Sequence, residues 1–241
     1  MLVNLLVFAL GAMLGSFLNV CIYRLPREES VIFPASHCPK CGRNILPLDN
    51  IPVLSWLILG GKCRFCKEKI SARYPLVELI TAVSIFLLYQ KFGLTSDLFF
   101  FSVFASVLIV GFFTDLAEQI IPDEIVIVGL IAGFSRALLN GSFFDSLFGA
   151  ASGFAVFFII EKLAKIIFKK EGLGFGDVKL AAMLGAFLGA AGFWHTFVAA
   201  YVLGAIVSVF LLVLKIKKMG DYIPFGPFLI IGALLVLAIG W

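Results

Sequence analysis

Between Leu180 and Leu214 the chain carries 35 residues without one formally charged side chain. As a helix rising 1.5 Å per residue, that run would be about 52 Å long, against a bilayer hydrocarbon core of about 30 Å. A water-soluble domain has no place for such a run, and one membrane crossing cannot use all of it. Two crossings joined by a tight turn are therefore expected, and Gly189-Ala190-Ala191-Gly192 is the segment suited to the turn.

Other apolar stretches repeat the pattern. Met1 to Tyr23 has no charged residue, and it lacks a basic start and a clear small-residue cleavage site. It is expected to be a retained span rather than a removed signal. Further spans are expected from Pro75 to about Gln90, Leu98 to Thr114, about Glu124 to Leu139, about Phe143 to Phe168, and Tyr222 to Trp241. With 61% of residues hydrophobic and 14% charged, there are too few charges to cover a soluble surface. The predicted class is an all-α polytopic membrane protein of about eight transmembrane helices, since open sheet edges are not satisfied in lipid. Three regions follow: a first span at 1–23, a polar insert at 24–74, and a seven-helix membrane core at 75–241.

Lysine and arginine set the orientation. Nine of the 19 lie in the insert, five between Lys162 and Lys179, and three at Lys215, Lys217 and Lys218. With eight spans these seventeen fall on one face, leaving Lys91 and Arg136 for the other. The insert is expected to be cytoplasmic, with both termini outside.

Within the insert, Cys38-Pro-Lys-Cys41 and Cys63-Arg-Phe-Cys66 are separated by 21 residues. Two CxxC turns at about this spacing form the thiolate tetrahedron of a zinc ribbon, and a cytoplasmic location disfavours disulfides instead. Four thiolates leave no open coordination position, so a structural Zn(II) is expected. About fifty residues rich in proline bury too little to fold alone, and the metal cross-link would supply what they lack. Cys21 reads as a packing residue inside the first span, and His37 as a surface histidine. The apolar tract Ile51 to Leu59 is either the insert's small core or a face laid on the membrane.

Acids near membrane spans ask for a functional explanation. Asp97 and Asp145 read as helix starts, and Asp123 and Glu124, after Pro122, as helix-capping residues. Asp115 instead ends an uncharged run, whereas Asp177 opens a span after Gly174-Phe175-Gly176 and before Lys179. The two would sit at one depth on helices of opposite polarity. Such settings drive two carboxylates toward different protonation states, which an aspartic protease requires. A glycine-rich turn before a helix is the plain alternative for the Gly-x-Gly-Asp string. A proton relay in a transporter and a zinc-stapled scaffold without chemistry are the competing functional classes.

Taken together, the motifs resemble the bacterial type IV prepilin leader peptidases, Gly-x-Gly-Asp membrane aspartyl proteases that are also N-methyltransferases. The resemblance runs from Gly15-Ser-Phe-Leu-Asn19-Val-Cys-Ile-Tyr-Arg24-Leu-Pro26 through both CxxC pairs and Arg73-Tyr-Pro-Leu-Val-Glu78. It continues through Asp115 to Asp123 and Gly174 to Leu180, and ends at Ile223-Pro224-Phe-Gly226-Pro227-Phe. It implies that Asp115 and Asp177 are the catalytic pair, supported by Gly174, Gly176 and Lys179, in a protease core at 75–241. It also implies cleavage of prepilin or pseudopilin leaders after glycine, at the cytoplasmic face of the bacterial inner membrane, with no nucleic-acid partner. The freed N-terminus would be methylated from S-adenosylmethionine. Asn19, Arg24, Arg73 and Glu78, bordering the insert, are the candidates for the methyl-donor or substrate side. The plain alternatives are a hydrogen bond between helices for Asn19, marking of the inner face for Arg24 and Arg73, and pairing with one of those arginines for Glu78.

Overall fold

The computed structural model of the chain describes residues 1–168, 174–218 and 223–239. Among these, the secondary structure is helical apart from two isolated bridges, His37 with Asn44 and Lys62 with Lys69. The helices are α1 (Leu2–Arg24), α2 (Leu54–Ile58), α3 (Arg73–Phe92), α4 (Ser96–Glu118), α5 (Asp123–Leu139), α6 (Phe143–Phe168), α7 (Phe175–Val213) and α8 (Gly226–Ile239). Five of them, α1, α3, α4, α6 and α7, are long and apolar enough to cross a membrane.

Length alone does not reproduce the eight expected spans. α5 has 17 residues and α8 has 14, and α7 is a single 39-residue element. The ends of the last expected span, Tyr222 and Trp241, lie outside the described residues, as do Lys169 and Lys170 of the basic loop. The chain forms two compact units, Met1–Val110 and Gly111–Trp241, and the division falls inside α4.

In the first unit α1 packs along α3. The contact is made possible by Gly11 and Gly15, four residues apart on one face of α1. A methyl group on Gly11 would meet the Cα of Ala82 at 2.8 Å, and one on Gly15 the Cα of Glu78 at 2.6 Å. Lipid gives helices no hydrophobic reason to associate, so backbone approach through small residues takes over that role. Asn19, one turn further, is 2% exposed and donates from Nδ2 to the carbonyl of Tyr74 at 3.0 Å. The insert hangs from this helix pair. Its apolar tract is largely exposed at Ile51, Leu54, Leu57 and Ile58, while Trp56 turns inward and donates to the carbonyl of Ile70.

In the second unit α7 lies against α6, α5 and α8. Gly149 on α6 meets Gly185 and Gly189 of α7; Gly153 meets Ala181 on one side and Phe193 on the other; Phe157 packs edge-to-face against Phe193 and Phe197. Moving along α6 thus tracks backwards along α7 before Gly189 and forwards after it. α7 is a helical hairpin, and its turn falls in the segment expected from sequence. Gly189, at φ 73° and ψ 179°, makes the reversal. Any side chain there would be strained and would also strike the carboxylate of Asp145.

Asp145 and Ser146 hold that turn from the start of α6. Asp145 Oδ1 accepts from the backbone N–H of Ala190 at 3.1 Å, and the Ser146 hydroxyl donates to the carbonyl of Ala186. Asp145 is therefore more than the helix start read from sequence, because it also caps the second arm of the hairpin. At the other end of the unit, α5 begins at Asp123 after Pro122 with no side-chain capping bond. The capping expected of Asp123 gives way to an ion pair with Lys179 of α7.

Candidate active site and metal centre

Asp115 lies in the last turn of α4 and Asp177 in the first turn of α7, so opposite helix ends present the two acids. Each is 4% exposed. Their carboxylates are close enough for the charge of one to be felt at the other. A continuous set of contacts joins them. A methyl group on Gly226, the first residue of α8, would fall 2.6 Å from Asp115 Oδ2 and 3.2 Å from Ile121 Cδ1. One on Gly176 would fall 3.3 Å from Ile121 Cβ. Ile121 therefore sits between the glycine before Asp177 and the glycine over Asp115.

Asp115 Oδ2 is buried without a hydrogen-bond partner, which is costly for a carboxylate oxygen that is not kept for a reactant. Gly174 stands at the N-cap of α7, where its carbonyl accepts from the N–H of Asp177 at 3.0 Å. Lys179 reaches Asp123 rather than Asp177. Aromatic rings border the site: Phe225, next to Gly226, lies 4.9 Å from Tyr201, and Tyr201 is within range of the Asp177 charge.

In the insert, the Sγ atoms of Cys38, Cys41, Cys63 and Cys66 all lie within 4.8 Å of one another. The Cys38–Cys66 separation is 3.8 Å. Four thiolates at about 2.3 Å from a tetrahedral Zn(II) would be about 3.8 Å apart, so the cluster fits the metal.

The two halves are built alike. The N–H of Cys38 donates to the carbonyl of Arg43 and that of Gly42 to the carbonyl of Cys38. The N–H of Cys63 donates to the carbonyl of Glu68 and that of Lys67 to the carbonyl of Cys63. Gly42 (φ 68°) and Lys67 (φ 60°) occupy the same left-handed position in the two turns. Backbone N–H groups of Cys66 and Phe65 pull the Cys63 thiol down to about 7, which favours the thiolate a metal needs.

Two side-chain contacts tie this centre to its surroundings. Arg43 of the first turn lies over the ring of Phe65 in the second. Arg64 forms a two-pronged pair with Asp49 and holds that carboxyl below its ordinary range. His37 is exposed and outside the cluster.

Comparison with known proteins gives the family. A model of the bacterial peptidase A24 N-terminal domain matches residues 9–92, and that of the type IV leader peptidase family matches residues 102–209. The chain is 37% identical to a prepilin leader peptidase/N-methyltransferase of Pseudomonas aeruginosa, over 96% of this chain and 88% of that protein. The chain belongs to the type IV leader peptidase family.

Another member, from Aeromonas salmonicida, is 36% identical over 98% of this chain and 90% of its own length. A third, from Myxococcus xanthus, is 42% identical over 85% of this chain, which spans 62% of that relative. No solved structure matches. For this leader peptidase family member, the four polar residues bordering the insert behave differently from one another. Asn19 donates from Nδ2 to the carbonyls of Gly15 and Tyr74, while its Oδ1 is buried without a partner. Glu78, 8% exposed, accepts at 2.7 Å from the N–H of Val53, a β-branched residue held at φ 62°. Arg73 lies over the Tyr74 ring, and its Nε is buried without a partner. Arg24, 6% exposed, donates to the carbonyls of Ser30 and Pro34.

Sequence reading did not single out Ile121, Tyr201 or the contact of Gly226 with Asp115. The trace of that contact in the sequence is Pro224-Phe-Gly-Pro227, which reads as a helix break near the site.

Proposed function

We propose that this protein is a prepilin leader peptidase and N-methyltransferase of the bacterial inner membrane, with Asp115 and Asp177 as its catalytic pair. The observation that carries the reading is the two buried carboxylates presented by opposite helix ends and joined through Gly226, Ile121 and Gly176. The substrate is a prepilin or pseudopilin cut after the leader's last glycine, on the cytoplasmic side to which the basic residues point.

In the cleavage step one carboxylate, ionised, takes a proton from a water molecule as the water oxygen bonds to the scissile carbonyl carbon. The other, protonated, gives its proton to the carbonyl oxygen. The tetrahedral species then collapses. The C–N bond breaks, a proton passes to the departing nitrogen, and the products are a leader carboxylate and the pilin's new amine. The unpartnered Asp115 Oδ2 supplies a free acceptor for this chemistry. Gly226 lets the backbone of α8 approach Asp115 and Gly176 leaves room for Ile121, while Lys179, through Asp123, ties the start of α7 to α5.

The cysteine tetrad holds Zn(II) as a structural cross-link of the insert. S-adenosylmethionine, when bound, supplies the methyl group for the new amine. The reading is tested by incubating purified protein with a prepilin and S-adenosylmethionine and weighing the products. Loss of the leader mass followed by a gain of one methyl is expected. An uncut prepilin in the presence of correctly folded protein overturns the reading.

A further inference from the structure

A cavity of about 290 Å³ lies in the first unit, between α1 and the segment 31–36 of the insert. Its walls divide by chemistry. Phe17 and Ile32 give it apolar surface, Ser36 and Asn50 polar edges, and Arg24 a positive charge. That charge is the unusual feature. Arg24 is 6% exposed, and its two hydrogen bonds, at 2.8 and 2.7 Å, go to the neutral carbonyls of Ser30 and Pro34. Among the described residues no acid forms an ion pair with Arg24: Asp49 pairs with Arg64, Glu78 accepts from Val53, and Glu29 meets Arg24 only through its backbone N–H.

A guanidinium has five N–H donors. A buried cation without a counter-anion is costly, so a site of this kind is completed by an anion from outside. The anion must arrive on a molecule small enough for the cavity, with an apolar part to cover Phe17 and Ile32 and hydroxyl groups for Ser36 and Asn50.

We propose that this cavity binds S-adenosylmethionine, with Arg24 as the residue that pairs with its carboxylate. The proposal rests on the methyltransferase reading above. An amino-acid carboxylate, ribose hydroxyls and a flat purine are the three kinds of group that the charged, polar and apolar walls call for. Of the four polar residues bordering the insert, Arg24 alone lines the cavity. Asn19 donates to the carbonyls of Gly15 and Tyr74, and Glu78 bonds Val53 and Ser16, so both hold the helices and insert together.

The test is calorimetric binding of two probes to the purified full-length protein in nanodiscs. S-adenosylhomocysteine carries the carboxylate, while 5′-methylthioadenosine keeps the nucleoside and lacks it. Arg24→Gln should weaken S-adenosylhomocysteine at least tenfold and leave 5′-methylthioadenosine unchanged. Ile32→Trp, at a position 72% exposed and tolerant of size, should weaken both probes by crowding the cavity. Equal binding of S-adenosylhomocysteine by wild type and both variants overturns the location. A loss of both probes in Arg24→Gln with neither affected by Ile32→Trp also overturns it, since that pattern is damage rather than recognition. Failure of the wild-type protein to bind either probe, while it still cleaves prepilin, overturns the methyltransferase reading itself.

Discussion

The first residue of α8, Gly226, presses its Cα against the carboxylate of Asp115, with no room for even a methyl group between them. The two residues are far apart in sequence, and the contact places the chain's last described helix directly on one of its paired acids. A small change at a position without a functional group should therefore reach the chemistry.

Gly226→Ala puts a methyl group 2.6 Å from Asp115 Oδ2, so the carboxylate or the start of α8 must move. A displacement approaching 1 Å in a catalytic group costs about 10²-fold in rate. Leader cleavage should fall by about that factor, with membrane insertion and zinc content unchanged. Cleavage at wild-type rate would show that Asp115 is not held by this contact.

Asp115→Asn and Asp177→Asn each remove one acid–base partner, and each should lower cleavage by at least about 10³-fold. Methyl transfer to an amine needs a positioned donor and a free lone pair, but no carboxylate pair. Both variants should therefore still pass labelled methyl from S-adenosylmethionine to pilin supplied already cut. Complete loss of that transfer in both folded variants would mean that the two activities share their catalytic groups.

Metal analysis should find one zinc per chain. Ligand thiols must be deprotonated to bind, so affinity should fall as pH is lowered from 8 toward 5, each proton competing with the metal. Removing zinc with a chelator should open trypsin sites at Arg43, Lys62, Arg64, Lys67 and Lys69, while helical circular dichroism changes little. A stoichiometry below half, with disulfides in its place, would remove the metal centre.

The matched cysteine turns predict opposite outcomes at equivalent positions. Gly42→Val places a β-branched residue at φ 68° and should cost about 1–2 kcal/mol in the stability of that turn. Lys67→Gly relieves the corresponding strain at φ 60° and should leave zinc retention equal or better. Competition with a colorimetric chelator measures both. Equal retention in Gly42→Val would mean the turn can rearrange.

Elements carried by composition were legible in the sequence. The limits of α6 follow from an apolar stretch whose charges lie toward its ends, and the reversal near Gly189 from the 35 uncharged residues and one Gly-Ala-Ala-Gly segment. The cysteine tetrad was legible because metal coordination fixes its spacing. What escaped depends on backbone meeting backbone. Gly11 with Gly15, and Gly149 with Gly153, carry the four-residue spacing of close helix contacts, which gives no hint of which helix they touch. Asp123 was read as a cap because proline-then-acid is ordinary helix-start chemistry, and its partner Lys179 is 56 residues away. Glu78 reads in the sequence as a methyl-donor or substrate candidate, with pairing to an arginine as its plain alternative. Its actual partner, the N–H of a left-handed Val53, has no signature in the sequence.

The reversal at Gly189 also bears on how the protein enters its membrane. Both arms of α7 must insert with their turn leading, so the turn is the part that has to be carried across the bilayer. Each charged side chain at mid-membrane costs about 2.5–3.5 kcal/mol on the insertion scale, and the run from Leu180 to Leu214 presents none. The acid that completes the turn, Asp145, travels separately at the head of α6. The arms can thus cross as one uncharged wedge and meet their polar clasp only on arrival. The hairpin is in this sense a late-locking element of biogenesis, and its lock lies at the far end of α6 from the paired acids.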